Sequence, residues 1–413
     1  MNSYKVPQLP GKKNKNSRRG RGLNNNKGNK NNNSGFLTAG RIILLTFLSL
    51  VFLFLLLMYL FLNFYRPPVS DTPGEYDFID EFADTPATNP NGEAAVPVQT
   101  SDNDLNPDCY TFLILGIDNI GGTTDTMMLA MLNVKEDTIS ILNIPRDTYV
   151  SSKNYSGKIN GVYAAGRGNA IRNGTPKDKA SDAGIAYLKA MIKYTFGIPI
   201  QKHVLINLEG LKTLVDSIKG VEVNVPLRMY YTDPEQNLYI DLQPGLQLLD
   251  GNKAEQFIRF RHGNDGYPGY PSIGYPSEDI GRIQSQQHFI AALMKKLLNP
   301  IDLNNIKNLF STASKYMITN MNLTDIAWFG TKMTGVKLEN IRTHTVPGNW
   351  ISSVLRYEAY KAETMEIINK YYNPYNKDIP EDNFNIYDND LIGWNGYKPE
   401  IDIDGSTMDK LGS

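Results

Sequence analysis

The chain has 413 residues, 41% hydrophobic and 21% charged, which is enough for a sizeable core in one or two domains. Its formal net charge of −1 conceals a segregation of charge by segment. A single cysteine, Cys109, excludes an intrachain disulfide, a multi-cysteine metal site and thiol-pair chemistry.

Residues 1–40 carry Lys and Arg, among them Lys12, Lys13, Arg18, Arg19 and Arg21, and no acid. With the run Asn24-Asn-Asn-Lys-Gly-Asn-Lys-Asn-Asn-Asn33 at their centre they predict a disordered basic segment. Its charge suits anionic lipid headgroups, with nucleic acid as the alternative. Residues 42–62 are almost wholly apolar and uncharged, close to the ~20 residues that cross a bilayer. Arg41 and Arg66 bracket the run, and Tyr59, Phe64 and Tyr65 suit an interfacial belt. The run exceeds a signal-peptide core, and no small-x-small cleavage site follows cleanly. One retained transmembrane helix over 41–65 is therefore expected, with the N-terminus cytoplasmic and the remainder outside the plasma membrane. Export without disulfides suits a Gram-positive bacterium. Residues 66–107, rich in Pro, Asp, Thr and Asn, read as an acidic extracellular linker.

The globular part is expected over 108–373. Tyr110-Thr-Phe-Leu-Ile-Leu115 reads as a buried strand, followed by strands over 126–134 and 138–144 with a turn at Lys135-Glu-Asp137. A helix is predicted from about Ala180 with Ser181 or Asp182 as cap, closed by Gly197 and Pro199. A second covers 208–218, and Val221, Val223 and Val225 then alternate as a half-buried strand. Residues 242–251 read as turn, 252–256 as a short helix, and 279–298 as a long helix. This order implies an α/β layered domain. Residues 374–413, acidic and Asn-rich, read as a peripheral tail.

Phe257-Ile-Arg-Phe-Arg261 reads as a strand end, which would put Arg259 and Arg261 on one face about 7 Å apart. Arg282 and Gln286 lie one turn apart on the following helix, near an N-terminus that favours anions. Together they suggest a phosphate or pyrophosphate clamp; ordinary surface arginines are the alternative. Asp118 stands at the end of the first strand and Asp125 just before the second, and two carboxylates on one loop suit Mg²⁺ or a simple turn. Arg146 and Asp147 follow the third strand, and Lys158 and Asn160 come next in a polar loop. The histidines His203, His262, His288 and His344 form no metal spacing; His262 adjoins Arg261. The Gly266-Tyr-Pro-Gly-Tyr-Pro271 and Gly274-Tyr-Pro276 segment reads as a surface loop, or as a flap whose tyrosines stack on sugars.

The order of motifs resembles the LytR–CpsA–Psr family: Leu113-Ile-Leu-Gly-Ile-Asp118, Thr124-Asp-Thr-Met-Met128, Ile144-Pro-Arg-Asp-Thr-Tyr-Val150, Lys158-Ile-Asn-Gly-Val-Tyr163, Leu249-Asp-Gly251, Phe257-Ile-Arg-Phe-Arg261 and Asp279-Ile-Gly-Arg282 with Gln286-Gln287. The resemblance covers about 109–350. It implies an extracytoplasmic α-β-α layered domain with a central mixed sheet, preceded by one transmembrane helix. It implies a phosphotransferase that moves a glycopolymer from a polyprenyl pyrophosphate carrier onto peptidoglycan, the lipid lying in an apolar cavity between sheet and helices. By motif match Asp118 and Asp125 would hold Mg²⁺, while Arg146, Lys158, Arg259, Arg261, Arg282 and Gln286 would contact the pyrophosphate. Asp279 is the candidate general base, or alternatively the cap of its helix. Thr123 and Ser285 stand where the family often has arginine, and the Gly-Tyr-Pro segment is an insertion. A non-catalytic binder of the lipid-linked glycan and an envelope regulator are the competing readings; nothing in the external domain favours nucleic acid.

Overall fold

The computed structural model describes residues 49–56, 68, 104–117, 122–263, 274, 278–298 and 315–387. The chain divides into two units, Met1–Asn63 and Phe64–Ser413. In the first, residues 49–56 are helical, and Leu50, Phe52 and Phe54 are largely exposed. The rest of the expected span over 41–65 lies outside the described residues, as do the basic segment and most of the linker. Among the described residues no helix is long and apolar enough to cross a membrane.

The second unit opens with β1 (Cys109–Ile117), β2 (Thr124–Asn133) and β3 (Thr138–Asn143), an antiparallel meander. Asp137 closes the β2–β3 turn with φ 51°, a left-handed conformation that Asp tolerates better than most side chains. The hairpin β4 (Tyr149–Ser151) and β5 (Ser156–Lys158) follows, then α1 (Asn160–Arg172), α2 (Ala180–Phe196), β6 (Lys202–Asn207) and α3 (Leu208–Ser217). Next come β7 (Val221–Val225), β8 (Met229–Asp233), β9 (Leu238–Leu242), β10 (Gly245–Leu249), α4 (Gly251–Arg259) and α5 (Glu278–Leu298). The described part closes with β11 (Met317–Thr319), α6 (Leu323–Met333), β12 (Ile341–Thr345), β13 (Gly348–Ile351), β14 (Arg356–Ala359) and α7 (Lys361–Tyr371).

The central sheet has six strands in the order β11-β6-β1-β2-β3-β12. It is mixed: β1 runs parallel to β6 and β3 to β12, and the other neighbours are antiparallel. Strand alternation sorts its side chains. Leu113, Leu115, Met127 and Leu129 pack against Val162 and Tyr163 of α1 and Ile185 and Leu188 of α2. Tyr110, Met128, Ala130 and Leu132 pack on the other face against Trp328 and Phe329 of α6. Both faces are covered, which is why these strands read as unbroken apolar runs. Each fully buried Leu or Met contributes roughly 1.5–3 kcal/mol. This is the α-β-α layering expected from the resemblance. A separate core forms among β7, β9, β10 and α3–α5, where Val221, Val223 and Val225 point inward and Glu222 and Asn224 outward.

Several local expectations are corrected. The stretch 257–261 is not a strand end: α4 runs to Arg259, Phe260 is extended, and Arg261 follows. Asp250 caps this helix by accepting the Lys253 amide at 2.9 Å, and Ala254, Phe257 and Phe260, spaced by three, supply its buried side. Period-two geometry therefore does not relate Arg259 to Arg261. Residues 242–251, read as turn, contain β10, which pairs with β7; its exposed Leu246 and Leu248 masked the pattern. The polar loop expected to hold Lys158 and Asn160 is instead the end of β5 and the start of the helix α1. Its glycines lower helix propensity, but one of them is a packing contact: a Cβ on Gly166 would run into the Tyr187 side chain of α2. Helix α2 starts at Ala180 behind Lys179, with no side-chain cap, so Ser181 and Asp182 sit inside its first turn. Asp125 lies within β2 rather than before it. Finally, the first part of the expected tail is core: Tyr375, Ile379, Phe384 and Ile386 are buried in the cluster around α2. Leu105, in the expected linker, bridges Tyr375. Residues 388–413 lie outside those described.

Candidate functional site

Sheet topology brings one set of strand ends together. In register, Gly116 of β1 faces Thr126 at the start of β2, Ile117 faces Asn207 at the end of β6, and Met128 faces Asn143 at the end of β3. Asp125 on β2 and Arg146 just beyond β3 thus meet at the same sheet edge. Arg146 Nη1 lies 2.8 Å from Asp125 Oδ1, and Arg146 Nε lies 3.6 Å from Asp147 Oδ2. Asp147 Oδ1 in turn accepts Lys158 Nζ at 2.8 Å. These side chains are partly exposed, so each pair is worth only about 0–1 kcal/mol. Their effect is to orient the groups.

Beside this edge lies a cavity of about 1040 Å³. One part of its lining is apolar, from Ile114 and Met128 of the sheet, Leu211 of α3, Ile258 of α4, and Phe289 and Ile290 of α5. The other part is polar and carries Asp125, Arg146, Arg259, Arg261, Arg282 and Gln286. The four arginines come from three separate parts of the chain. The cavity lies where the α6-facing side of the sheet approaches the second core, since Ile290 packs against both clusters.

Secondary structure positions each cation. Arg259, in the last turn of α4, donates to Glu255 Oε1 at 3.0 Å, an i,i+4 pair, and to Gln236 Oε1 at 2.9 Å. Lys212 of α3 spans Glu209 (3.1 Å) and Glu255 (3.5 Å), and the hydrogen bond to Glu209 holds its ammonium above the ordinary lysine pKa. Gln286 Nε2 donates to the Ile258 carbonyl at 3.2 Å. Arg282, one turn earlier on α5, shares that side of the helix. Arg261 is partly buried and lies beside His262, whose Nδ1 is 3.0 Å from the Gly263 carbonyl and whose ring meets Tyr231 edge-on at 5.8 Å.

The sequence-derived residues divide as follows. Asp125, Arg146, Arg259, Arg261, Arg282 and Gln286 share the cavity. Lys158 does not line it; its ammonium is held by Asp147. Asp279 is in the first turn of α5, and its side chain is outside the described set. Asp118 and nearly all of the Gly-Tyr-Pro segment are also outside it; Gly274 alone is described, bridged to His262. Ser285 is buried within α5 and Thr123 is half-buried. Glu255 and Gln236, which orient Arg259, were not singled out from sequence, whereas Asp147 was named there beside Arg146. Glu255 was legible from its four-residue spacing to Arg259 once that stretch is read as helix. Gln236 sits on another element with no sequence signal.

Magnesium takes oxygen ligands, keeps waters, and needs only one or two protein carboxylates when a substrate phosphate supplies the rest. Asp125 offers one such carboxylate on the cavity wall. Among the described residues no group of three or more His, Cys, Asp and Glu gathers around a point. One carboxylate on the wall fits a cation shared with a phosphate ligand.

Comparison with known proteins places these features in a group. The LytR_cpsA_psr family description matches residues 81–374. The chain is 27% identical over 229 residues to the polyisoprenyl-teichoic acid–peptidoglycan teichoic acid transferase TagU of Enterococcus faecalis, covering 54% of this chain and 64% of that one. It is 25% identical over 261 residues to biofilm regulatory protein A of Streptococcus mutans, covering 58% and 56%. The match thus spans less than two thirds of the length of these curated relatives. The crystal structure of B. subtilis TagV aligns with a TM-score of 0.51 at 21% identity, covering 64% of this chain and 96% of that one, a likeness of fold.

Proposed function

The chain belongs to the LytR–CpsA–Psr family, and from that premise we propose that it is a membrane-anchored phosphotransferase that moves a glycopolymer from a polyprenyl pyrophosphate onto peptidoglycan. The observation that carries this reading is the two-sided cavity: apolar side chains from sheet and helices on one part, four arginines on the other. A ligand that satisfies both is a long apolar chain ending in linked phosphates. Bidentate guanidinium groups suit phosphoryl oxygens better than point charges do. The relatives' names, which refer to polyisoprenyl-teichoic acid and peptidoglycan, agree with it.

In this reading a hydroxyl of the peptidoglycan acceptor attacks the glycan-side phosphorus. The new bond joins that oxygen to phosphorus, the bridging P–O bond breaks, and polyprenyl phosphate leaves. A pyrophosphate diester carries about two negative charges, so the barrier falls mainly by charge stabilisation. Arg146, Arg259, Arg261 and Arg282 grip the non-bridging oxygens and the leaving phosphate. Asp125 orients Arg146, and Gln286 holds α5 against α4. Asp279, three residues before Arg282, takes the hydroxyl proton. Mg²⁺, held by Asp125 and, by motif, Asp118, would add Lewis-acid stabilisation of the phosphates. The uncharged run 42–62 behind a basic leader supports a single span, with this domain outside the cell.

The test uses the full chain in lipid nanodiscs with Mg²⁺, a polyprenyl-pyrophosphate glycan and peptidoglycan fragments. A covalent glycan–peptidoglycan product with release of polyprenyl phosphate is expected, lost in Asp125→Ala and Arg259→Ala. Binding without product in the wild type would leave a non-catalytic binder instead. Protease cleavage of the domain on intact cells checks its side of the membrane.

A further inference from the structure

Two hairpins outside the cavity carry a second group of side chains that the transfer reading leaves unused. They are β4–β5 and β13–β14. Thr148 bridges Tyr357, and the Tyr357 amide donates to the Asp147 carbonyl at 2.9 Å, so the hairpins are joined at their edges. Tyr149 and Lys158 are directly opposed in β4–β5 and project from one face. On that face Lys158 Nζ lies 5.6 Å from the centre of the Trp350 ring. The Arg356 guanidinium lies 3.8 Å from the Tyr149 ring centre and 4.9 Å from that of Tyr387. Glu358, itself buried, fixes Arg356 by accepting its Nε at 2.7 Å.

Trp350 is the open member of this group, 44% exposed. It is tied to the cavity by a short run of contacts. Arg146 lines the cavity and meets Asp147, Asp147 holds Lys158, and Lys158 sits over Trp350. An indole beside a fixed carboxylate and a fixed ammonium is a surface of mixed chemistry. The negative face of the ring accepts the C–H face of a pyranose, and the flanking charges accept from and donate to its hydroxyls. Arg356 already lies against two tyrosines that meet each other edge-on at 4.7 Å, which makes that end a rigid wall and leaves Trp350 as the open platform.

We propose that Trp350, with the Lys158–Asp147 pair, forms a saccharide subsite that seats a pyranose ring next to the pyrophosphate cavity. The proposal rests on the transferase reading for what the sugar belongs to: either the acceptor glycan strand or the first sugar of the transferred glycopolymer. Exposed Val354 and Leu355 at the β13–β14 turn make a bilayer the rival partner for this hairpin. The neutralised charge pairs around the indole favour a sugar.

The experiment is a binding series on the full chain in detergent micelles. It compares wild type, Trp350→Ala, Trp350→Tyr and Arg261→Ala. The probes are a β-linked N-acetylglucosamine oligosaccharide, a polyprenyl-pyrophosphate disaccharide, sugar-free polyprenyl pyrophosphate, and anionic phospholipid vesicles. Trp350→Ala is expected to weaken at least one saccharide probe about tenfold, with Trp350→Tyr recovering most of the loss, because the stacking face is what matters. Loss on the free oligosaccharide assigns the subsite to the acceptor; loss on the lipid-linked disaccharide alone assigns it to the donor sugar. Binding of the sugar-free lipid should be unchanged in Trp350→Ala and reduced in Arg261→Ala. Unchanged saccharide binding in Trp350→Ala overturns the subsite, as does a loss confined to vesicles. Failure of the wild type to bind either lipid pyrophosphate would instead overturn the transferase reading, and the oligosaccharide arm would still report on Trp350.

Discussion

Gln286 Nε2 donates to the Ile258 carbonyl at 3.2 Å, and this one hydrogen bond joins the helix carrying Arg282 to the residue before Arg259. Two arginine-bearing helices, α4 ending at Arg259 and α5 starting at Glu278, are held in register by it. Gln286→Ala should leave the fold intact but let α5 slip against α4. Affinity for polyprenyl pyrophosphate should fall on the order of tenfold, since misplacing positioning groups is costly at a reacting centre. Isothermal titration, beside an unchanged circular dichroism spectrum, checks this. Wild-type affinity in the variant would reduce Gln286 to a bystander.

Arg261 offers a graded test of how the cavity recognises its ligand. A guanidinium can bind two phosphoryl oxygens at once, and an ammonium is a point charge. Arg261→Lys should retain part of the ligand affinity, and Arg261→Ala should lose about 10- to 100-fold, the range of a hydrogen bond to a charged group. Equal losses in the two variants would show that planar, two-pronged recognition is not what Arg261 supplies.

Gly184 fixes the distance between α1 and α2. A Cβ there would lie 2.8 Å from both Tyr163 Cδ2 and the Tyr163 carbonyl oxygen. One obstacle is backbone, so a rotamer change cannot relieve it. Gly184→Ala is expected to cost about 1–3 kcal/mol, as overpacking does. A thermal melt should show the midpoint several degrees lower, while Gly174→Ala, in open space but at φ 94°, reports backbone strain alone. An unshifted midpoint for Gly184→Ala would mean that the two helices can move apart freely.

His203 gives the protein an acid-sensitive core. Burial, then the charges of Lys189 and Lys202, lower its pKa to about 3, and its Nδ1 has no hydrogen-bond partner. The unfolded chain takes up this proton near the ordinary value of 6.5 and the native state refuses it until far lower. Stability is therefore highest above pH 6.5 and falls as pH drops toward 3, by up to about 1.4 kcal/mol per unit. Burial lowers His288 in the same direction. Between pH 6.5 and 5, before most carboxylates titrate, urea midpoints of His203→Gln should fall less steeply than those of wild type. Parallel slopes would sink the assignment.

Much of the layered domain was legible in the chain itself. Leu113, Leu115, Met127 and Met128 lie in apolar runs because both faces of their strands are covered, and Val221 to Val225 alternate because one face is not. The helix over 208–217 was legible from its apolar spacing and ends where Gly220 follows. Helix α1 was not, because Gly166 is required by its close packing on Tyr187 of α2, a tertiary contact without a local signature. The stretch 257–261 misled for a related reason: two phenylalanines and two arginines in five residues fit either period, and Asp250 tipped the choice by capping a helix.

Residue order alone determined the kinds of groups this protein brings to a ligand: arginines on three separate stretches, a carboxylate at a strand start, and an uncharged run that precedes them. Only the tertiary structure decided which of them meet. Asp125 and Arg146 are neighbours because antiparallel pairing turns the start of β2 and the end of β3 to one edge. Lys158 is drawn off to Asp147 and Trp350 because two hairpins join there. Local sequence sets backbone preference and periodicity over a few residues, whereas charge pairing across the fold depends on which strand ends the sheet aligns.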